Sequence, residues 1–246
     1  MHDRESLMAI ERRSDVKDAI AQRIVWCFWT DDNDMSDQRR QCLDNMAQAT
    51  ECNVVLVTKA TLVNFLCPGH PLHTAYQSLS ATHRADYLRA YFLFHYGGGY
   101  SDIKMQTGSW VDSFENMETH QQLTAVGYRE VPGGVPVHLT TESGSPLSVC
   151  WQLLIGNGAY IFRRDTEFLR LWFTRLHRVL DKRSRDLKLH PARFAQDCRG
   201  IEHNGTVSEY PLRWSEILGD IFHPICYQCR DEVMNTLPTP VFHGYR

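Results

Sequence analysis

The sequence has no apolar run approaching the roughly 20 residues that a membrane-spanning helix needs. Its opening stretch, MHDRESLMAIERRSD, is polar and holds no apolar core of the secretory-signal kind. Neither sign of charge dominates: 26 Lys and Arg stand against 29 Asp and Glu, for a net charge of −3. That balance gives no support for a nucleic-acid partner, which asks for a basic surface. The 8 cysteines are scattered without a framework. With no secretory signal, reduced thiols in a cytosol-like compartment are expected, and a cytoplasmic location with them. Cys226-x-x-Cys229, with His223 nearby, has half of a zinc pattern, but no second pair follows at zinc-finger spacing. No internal repeat is visible.

What remains is an ordinary globular composition in 246 residues, long enough to bury a sizeable core. Residues 5–22 read as an amphipathic helix, with Leu7, Ala9, Ile10 and Val16 among charges. IVWCFWT, residues 24–30, reads as a buried first strand ending in a polar loop, Thr30 to Asp34. Residues 36–50 fit a helix capped by Ser36, and CNVVLVT, residues 52–58, a second buried strand. Strand, helix and strand in alternation predict a parallel sheet with right-handed crossovers. Ligands bind at the carboxyl ends of such strands, where Thr30 and Thr58 fall.

The chain is organised around residues 80–110, SATHRADYLRAYFLFHYGGGYSDIKMQTGSW. Ser80 or Thr82 can cap a helix that Gly97 ends. That helix is apolar on nearly every side, so it is expected to be buried. It nevertheless carries Arg84, Asp86 and Arg89, and the last two share a face. Buried charges are costly unless paired or holding a ligand. Three glycines follow, then a short strand over residues 100–104 that sets Asp102 and Lys104 on one side.

Arg84, Ala85, Asp86 and Arg89, followed by Gly97, Gly98, Tyr100 and Asp102, closely resemble the core motif of GT-A glycosyltransferases. The likeness is greatest to glycosyltransferase family 32 and the related capsular polysaccharide synthesis transferases. Their motif reads R-A-D-x-x-R, then G-G-x-Y-x-D-x-D. This sequence departs from it at one position that matters: Lys104 stands where the second Asp of D-x-D is expected. The resemblance is strongest over residues 80–110 and looser over 24–58 and 150–246.

The resemblance implies an α/β fold: one GT-A, Rossmann-like nucleotide-sugar-binding domain over 1–246, with a mixed, mainly parallel sheet flanked by helices. Residues 1–22 would form an N-terminal helix. Residues 24–110 would bind the nucleotide sugar, and 111–246 would serve the acceptor side and close the site. It implies hexosyl transfer from a UDP- or GDP-type donor to a glycan or glycolipid, with retention, in surface polysaccharide synthesis. Trp26 or Trp29 could stack on the base, or both could be core aromatics. Thr30, Thr58, Arg84, Gly98, Gly99, Tyr100 and Ser101 join the donor site by the same likeness. Asp86 and Arg89 would hook the donor sugar, and Asn157 would face it from a polar turn. Asp102, with His243, would hold Mn²⁺ or Mg²⁺, and Tyr245 would close over the diphosphate. In the other reading Lys104 replaces the metal as a point charge. A decayed nucleotide-sugar or glycan binder is the alternative to an enzyme.

The remaining segments are read from their own patterns. Trp110 and Phe114 open a segment expected to cover the site, and residues 123–128 read as a strand. Residues 129–148 are loop, and 151–165 a strand interrupted at Gly156-Asn157-Gly158. Residues 165–182 form the clearest amphipathic helix, followed by a basic loop and a short helix over 183–200. The run RSRDLKLHPAR could touch an anionic membrane surface or be a solvated face. Arg213 or Glu216 could reach the acceptor.

Overall fold

A computed structural model describes residue 10 and residues 12–244. Its sheet starts from the two apolar runs. β1 (Ile24–Trp29) and β2 (Asn53–Thr58) pair in parallel, Ile24 opposite Asn53 and Trp29 opposite Thr58. The crossover between them is α1 (Asp37–Thr50), whose first turn is capped by Ser36 accepting from Arg39 N. α2 (Ala81–Tyr96) is capped in the same way by Ser80 and ends at Gly97, at φ +70°. It delivers β3 (Gly98–Ser101), which runs parallel to β1.

α3 (Val111–Thr119), β4 (Ala125–Arg129) and β5 (Ile155–Phe162) follow, then the long α4 (Glu167–Leu189). A small hairpin, β6 (Glu202–His203) and β7 (Thr206–Val207), precedes α5 (Gly219–Gln228) and β8 (Val233–Met234). The main sheet has the order β2-β1-β3-β5-β4-β8. β5 is antiparallel to both β3 and β4, and the other pairs are parallel. The expected α/β class, with a mixed sheet flanked by helices, is what the chain adopts. Among the described residues no helix is long and apolar enough to cross a membrane.

Helices cover both faces of the sheet. Successive strand residues point to opposite faces, so Trp26 and Phe28 join a cluster with Phe92 of α2, Trp172 of α4 and Phe222 of α5. Val25 and Cys27 join a second cluster with Met46 of α1 and Phe114 of α3. A strand buried on both faces needs no polar alternation, which is why β1 is apolar throughout. α2 is likewise buried: Tyr87, Leu88, Tyr91, Phe92 and Leu93 are all fully enclosed.

Several expectations are corrected. Of the helix expected over 5–22, residues 5–9 and 11 lie outside the described residues, and 12–22 are not helical in the expected way: they form a single 3-10 turn at Arg13–Asp15 and further turns, and Arg23 at φ +49° leads into β1. The segment opened by Trp110 and Phe114 does not cover the cleft; both side chains are fully buried under the α1 face. β3 stops at Ser101 rather than running to residue 104. β5 is not interrupted at Gly156-Asn157-Gly158. Gly156 is there because the Tyr128 ring lies across it: a Cβ would come 2.0 Å from Tyr128 Cζ. α4 continues to Leu189 through the supposed basic loop, anchored by buried Leu187. α5, which contains Pro224, had no expected counterpart.

Candidate active site

A cleft of about 800 Å³ opens where the carboxyl ends of β1 and β3 meet. Of the sequence-predicted residues it gathers Trp29, Thr30, Asp86, Arg89, Tyr100, Ser101, Asp102, Lys104 and Asn157. Among the further residues that line it, and that were not expected there, are Arg39, Glu130, Trp214 and Phe242.

Its floor is a chain of alternating charge. One turn of α2 separates Asp86 from Arg89, and Arg89 Nη2 forms an ion pair with Asp86 Oδ1 at 2.9 Å. The same nitrogen reaches Asp102 Oδ1 at 3.3 Å, while Nη1 donates to the Asn157 carbonyl at 2.6 Å. The guanidinium lies 4.3 Å above the Tyr100 ring, a cation–π contact. Tyr100 OH donates to Asp102 Oδ1 at 2.6 Å, and Lys104 Nζ to Asp102 Oδ2 at 2.9 Å. Asp102 sits where β3 ends, its amide held by the Gly158 carbonyl of β5 at 2.8 Å. Lys104 Nζ also rests 4.6 Å from the Phe242 ring centre. Arg39, in the first turn of α1, donates to the Ile103 carbonyl, so it reaches the backbone beside Lys104.

The two aspartates ionise differently. Burial pushes the Asp86 carboxyl up to about 7, against the pull of Arg89. Burial acts on Asp102 too, but Lys104 and Arg89 together overcome it and hold that carboxyl at about 2. Asp102 is therefore a fixed anion between two cations.

That arrangement does not fit Mn²⁺ or Mg²⁺. Hard divalent cations ask for several oxygen ligands. Both Asp102 oxygens already accept from Tyr100, Arg89 and Lys104. Among the described residues no three His, Cys, Asp or Glu side chains gather as a cation site, and this includes Cys226, Cys229 and His223. His243 is exposed and does not line the cleft, whereas its neighbour Phe242 does.

Other expected residues lie elsewhere. The base-stacking expectation for Trp26 is corrected: its ring is fully buried against Phe65, Phe92 and Tyr96, and Nε1 donates to the Gly97 carbonyl. Trp29 stays at the cleft, with Nε1 donating to the Asn33 carbonyl at 2.9 Å. Thr58 does not reach the cleft; its hydroxyl pairs with Thr61 at 3.2 Å. Arg84 donates to the Gln77 carbonyl at 2.9 Å and is not on the cleft wall. Gly98 and Gly99 are buried in β3, where a Cβ on Gly98 would meet the Ile24 carbonyl at 2.9 Å. They permit close strand packing rather than touch the cleft. Tyr245 lies outside the described residues. Glu216 and Arg213 build the rim: Glu216 accepts from Arg183 and from Arg213 N, and Arg213 pairs with Asp220.

A family model described as "Capsular polysaccharide synthesis protein" matches residues 4–119. That stretch carries Arg39, Asp86, Arg89, Asp102 and Lys104 of the cleft, and stops before β4. Among solved structures, the "PaToxG Glycosyltransferase" is similar at 9% identity and a TM-score of 0.39. The match covers 68% of this chain and 64% of that one, so the chain spans a little under two thirds of its length. No curated protein matches the chain.

Proposed function

We propose that the chain is a glycosyltransferase. It moves a hexose from a UDP- or GDP-type sugar to a glycan or glycolipid, with retention, in the synthesis of a surface polysaccharide. The observation that carries this reading is the Asp86–Arg89–Asp102–Lys104 chain, buried at its first two members and half-buried at its last two, on the floor of an open cleft. Buried ion pairs are poor sources of stability, so such a chain at a cleft calls for a ligand. The match of residues 4–119 to a capsular polysaccharide family supports the biological setting. The enzyme would act in the cytoplasm, against a membrane where its acceptor is lipid-linked.

Breaking the anomeric bond drives negative charge onto the leaving diphosphate, and something positive must receive it. Lys104 does this as a point charge, turning from Asp102 to a phosphate oxygen. Arg39, anchored beside it on Ile103, adds a fork of donors suited to phosphate. Asp86 and Asp102 accept sugar hydroxyls, with Arg89 orienting both. The Trp29 indole offers a face to the base.

Thermal melts with UDP and GDP, each in EDTA and in Mn²⁺, test this. A nucleotide at 100 times its Kd adds about 2.7 kcal/mol, which a melt resolves. The expected result is a shift in EDTA that Lys104→Met largely abolishes. A shift seen only with Mn²⁺ would remove Lys104 from the role of the metal. No shift with either nucleotide, under either condition, would overturn the transferase reading itself.

A further inference from the structure

The cleft has a second wall with a different character. One part follows β4, from Glu130 to Pro136; the other leads into α5, from Trp214 to Gly219. The two abut, since a Cβ on Gly219 would lie 3.3 Å from Pro136 Cγ and 3.5 Å from Asn157 Nδ2. At Asn157 the wall therefore meets the ionic floor, because the Asn157 carbonyl holds Arg89. Of the residues this wall contributes, Glu130 is the charged one.

Three features of the wall take no part in the donor contacts proposed above. Trp214 is 51% exposed, although indole is among the largest apolar groups a surface can leave in water. Its backbone is nonetheless fixed. Glu216 is clamped by Arg183 at 2.9 Å and by Arg213 N at 3.0 Å, and Ser215 Oγ donates to Asp220 at 2.7 Å. The indole is thus held out over the cleft on a rigid rim. Glu130 is buried at 3% exposure, and its Oε2 accepts from His223 Nε2 at 2.8 Å. Gly134 leaves it room: a Cβ there would come 2.3 Å from Glu130 Oε1. Finally, Asn157 Oδ1 is buried with no hydrogen-bond partner. A buried acceptor left unpaired costs free energy that a ligand hydroxyl recovers.

We infer that this wall is the acceptor subsite and that it takes an uncharged pyranose. The inference rests on the transferase reading. An aromatic face suits the C–H face of a sugar ring, whose edge hydroxyls then need acceptors. The Trp214 indole supplies the first; Asn157 Oδ1 supplies the second, with the lone pairs that the Glu130 carboxylate keeps beyond Val131 N at 2.8 Å and His223. A uronate or phosphate in the same place would bring its charge against Glu130, with no cation among the described residues of this wall to offset it. His223 is the positioning residue that fixes the Glu130 carboxylate.

Saturation-transfer NMR on the protein loaded with UDP or GDP tests this without turnover. The probes are methyl β-D-glucopyranoside, methyl β-D-galactopyranoside and methyl β-D-glucuronide. Saturation is expected at one or both neutral glycosides and not at the glucuronide. Trp214→Ala, a change at an exposed site, should abolish the signal while the nucleotide still binds. Glu130→Gln, close to Glu in shape, should admit the glucuronide. The inference is overturned if the glucuronide is saturated as strongly as the neutral sugars. It is also overturned if none of the three is saturated, or if Trp214→Ala leaves the signal intact. Absence of nucleotide binding in the melts above is a separate result, and falls on the transferase reading instead.

Discussion

Asp86 and Asp102 touch the same guanidinium, yet burial holds one at about 7 while two cations hold the other at about 2. The stability they contribute therefore runs in opposite directions with pH. A carboxyl raised on folding contributes fully below the ordinary carboxylate range, and that contribution is lost as pH rises through about 7. A lowered carboxyl contributes above that range and loses it as pH falls towards about 2. Asp86→Asn removes the first group and leaves the second. Its melting temperature should therefore fall less than that of the parent between pH 5 and pH 8. The variant should be the more stable by a few degrees at the upper end, an amount on the order of 1 kcal/mol. A parallel pair of melting curves against pH would count against an ionising Asp86. At this scale the sequence was informative where partners are near in the chain. Asp86 and Arg89 are one helical turn apart, and Asp102 and Lys104 are neighbours on one backbone segment. Glu130 gave no signal because its partner, His223, is 93 residues away. Arg39 sits in a polar first turn that looks like any solvated helix start. Phe242 adjoined the residue that was named, His243, and it is the phenylalanine that faces the cleft.

Among the elements, β5 shows how turn-like composition can sit inside a continuous strand. Gly156, Asn157 and Gly158 look like a turn by composition, but the strand continues through them with Tyr128 lying over Gly156. A Cβ at that site would overlap the ring, so Gly156→Ala should destabilise the fold by about 1–3 kcal/mol through overpacking. Urea denaturation measures it, and an unchanged midpoint would mean that the ring moves freely. The end of α4 was expected to be loop, and α5 was not expected at all, for related reasons. The basic run after residue 182 is polar enough for a loop, and it stays helical because Leu187 is buried and Arg183 reaches Glu216. Pro224 argues locally against a helix. The buried face of Ile221, Phe222, Ile225 and Cys226 outweighs it. β1, β2, α1 and α2 were legible because their caps and their apolar patterns agree with the packing that they enter.

At the scale of the molecule, the strand order decides what can be separated from what. β3 carries Asp102 at its end, and its two neighbours in the sheet are β1 and β5. β5 comes from well beyond residue 119, where the family match stops. Cutting the chain there would leave β3 with one row of backbone donors and acceptors open along its length, in the middle of what should be the sheet. A fragment ending at 119 is thus expected to aggregate at concentrations where the whole chain stays monodisperse, as light scattering would show. If that fragment were soluble and cooperative in a melt, the sheet would not need its antiparallel insert. The motif residues of the first half are therefore not a portable cassette. Grafting them into another chain would transplant their spelling without the strand that keeps them in line.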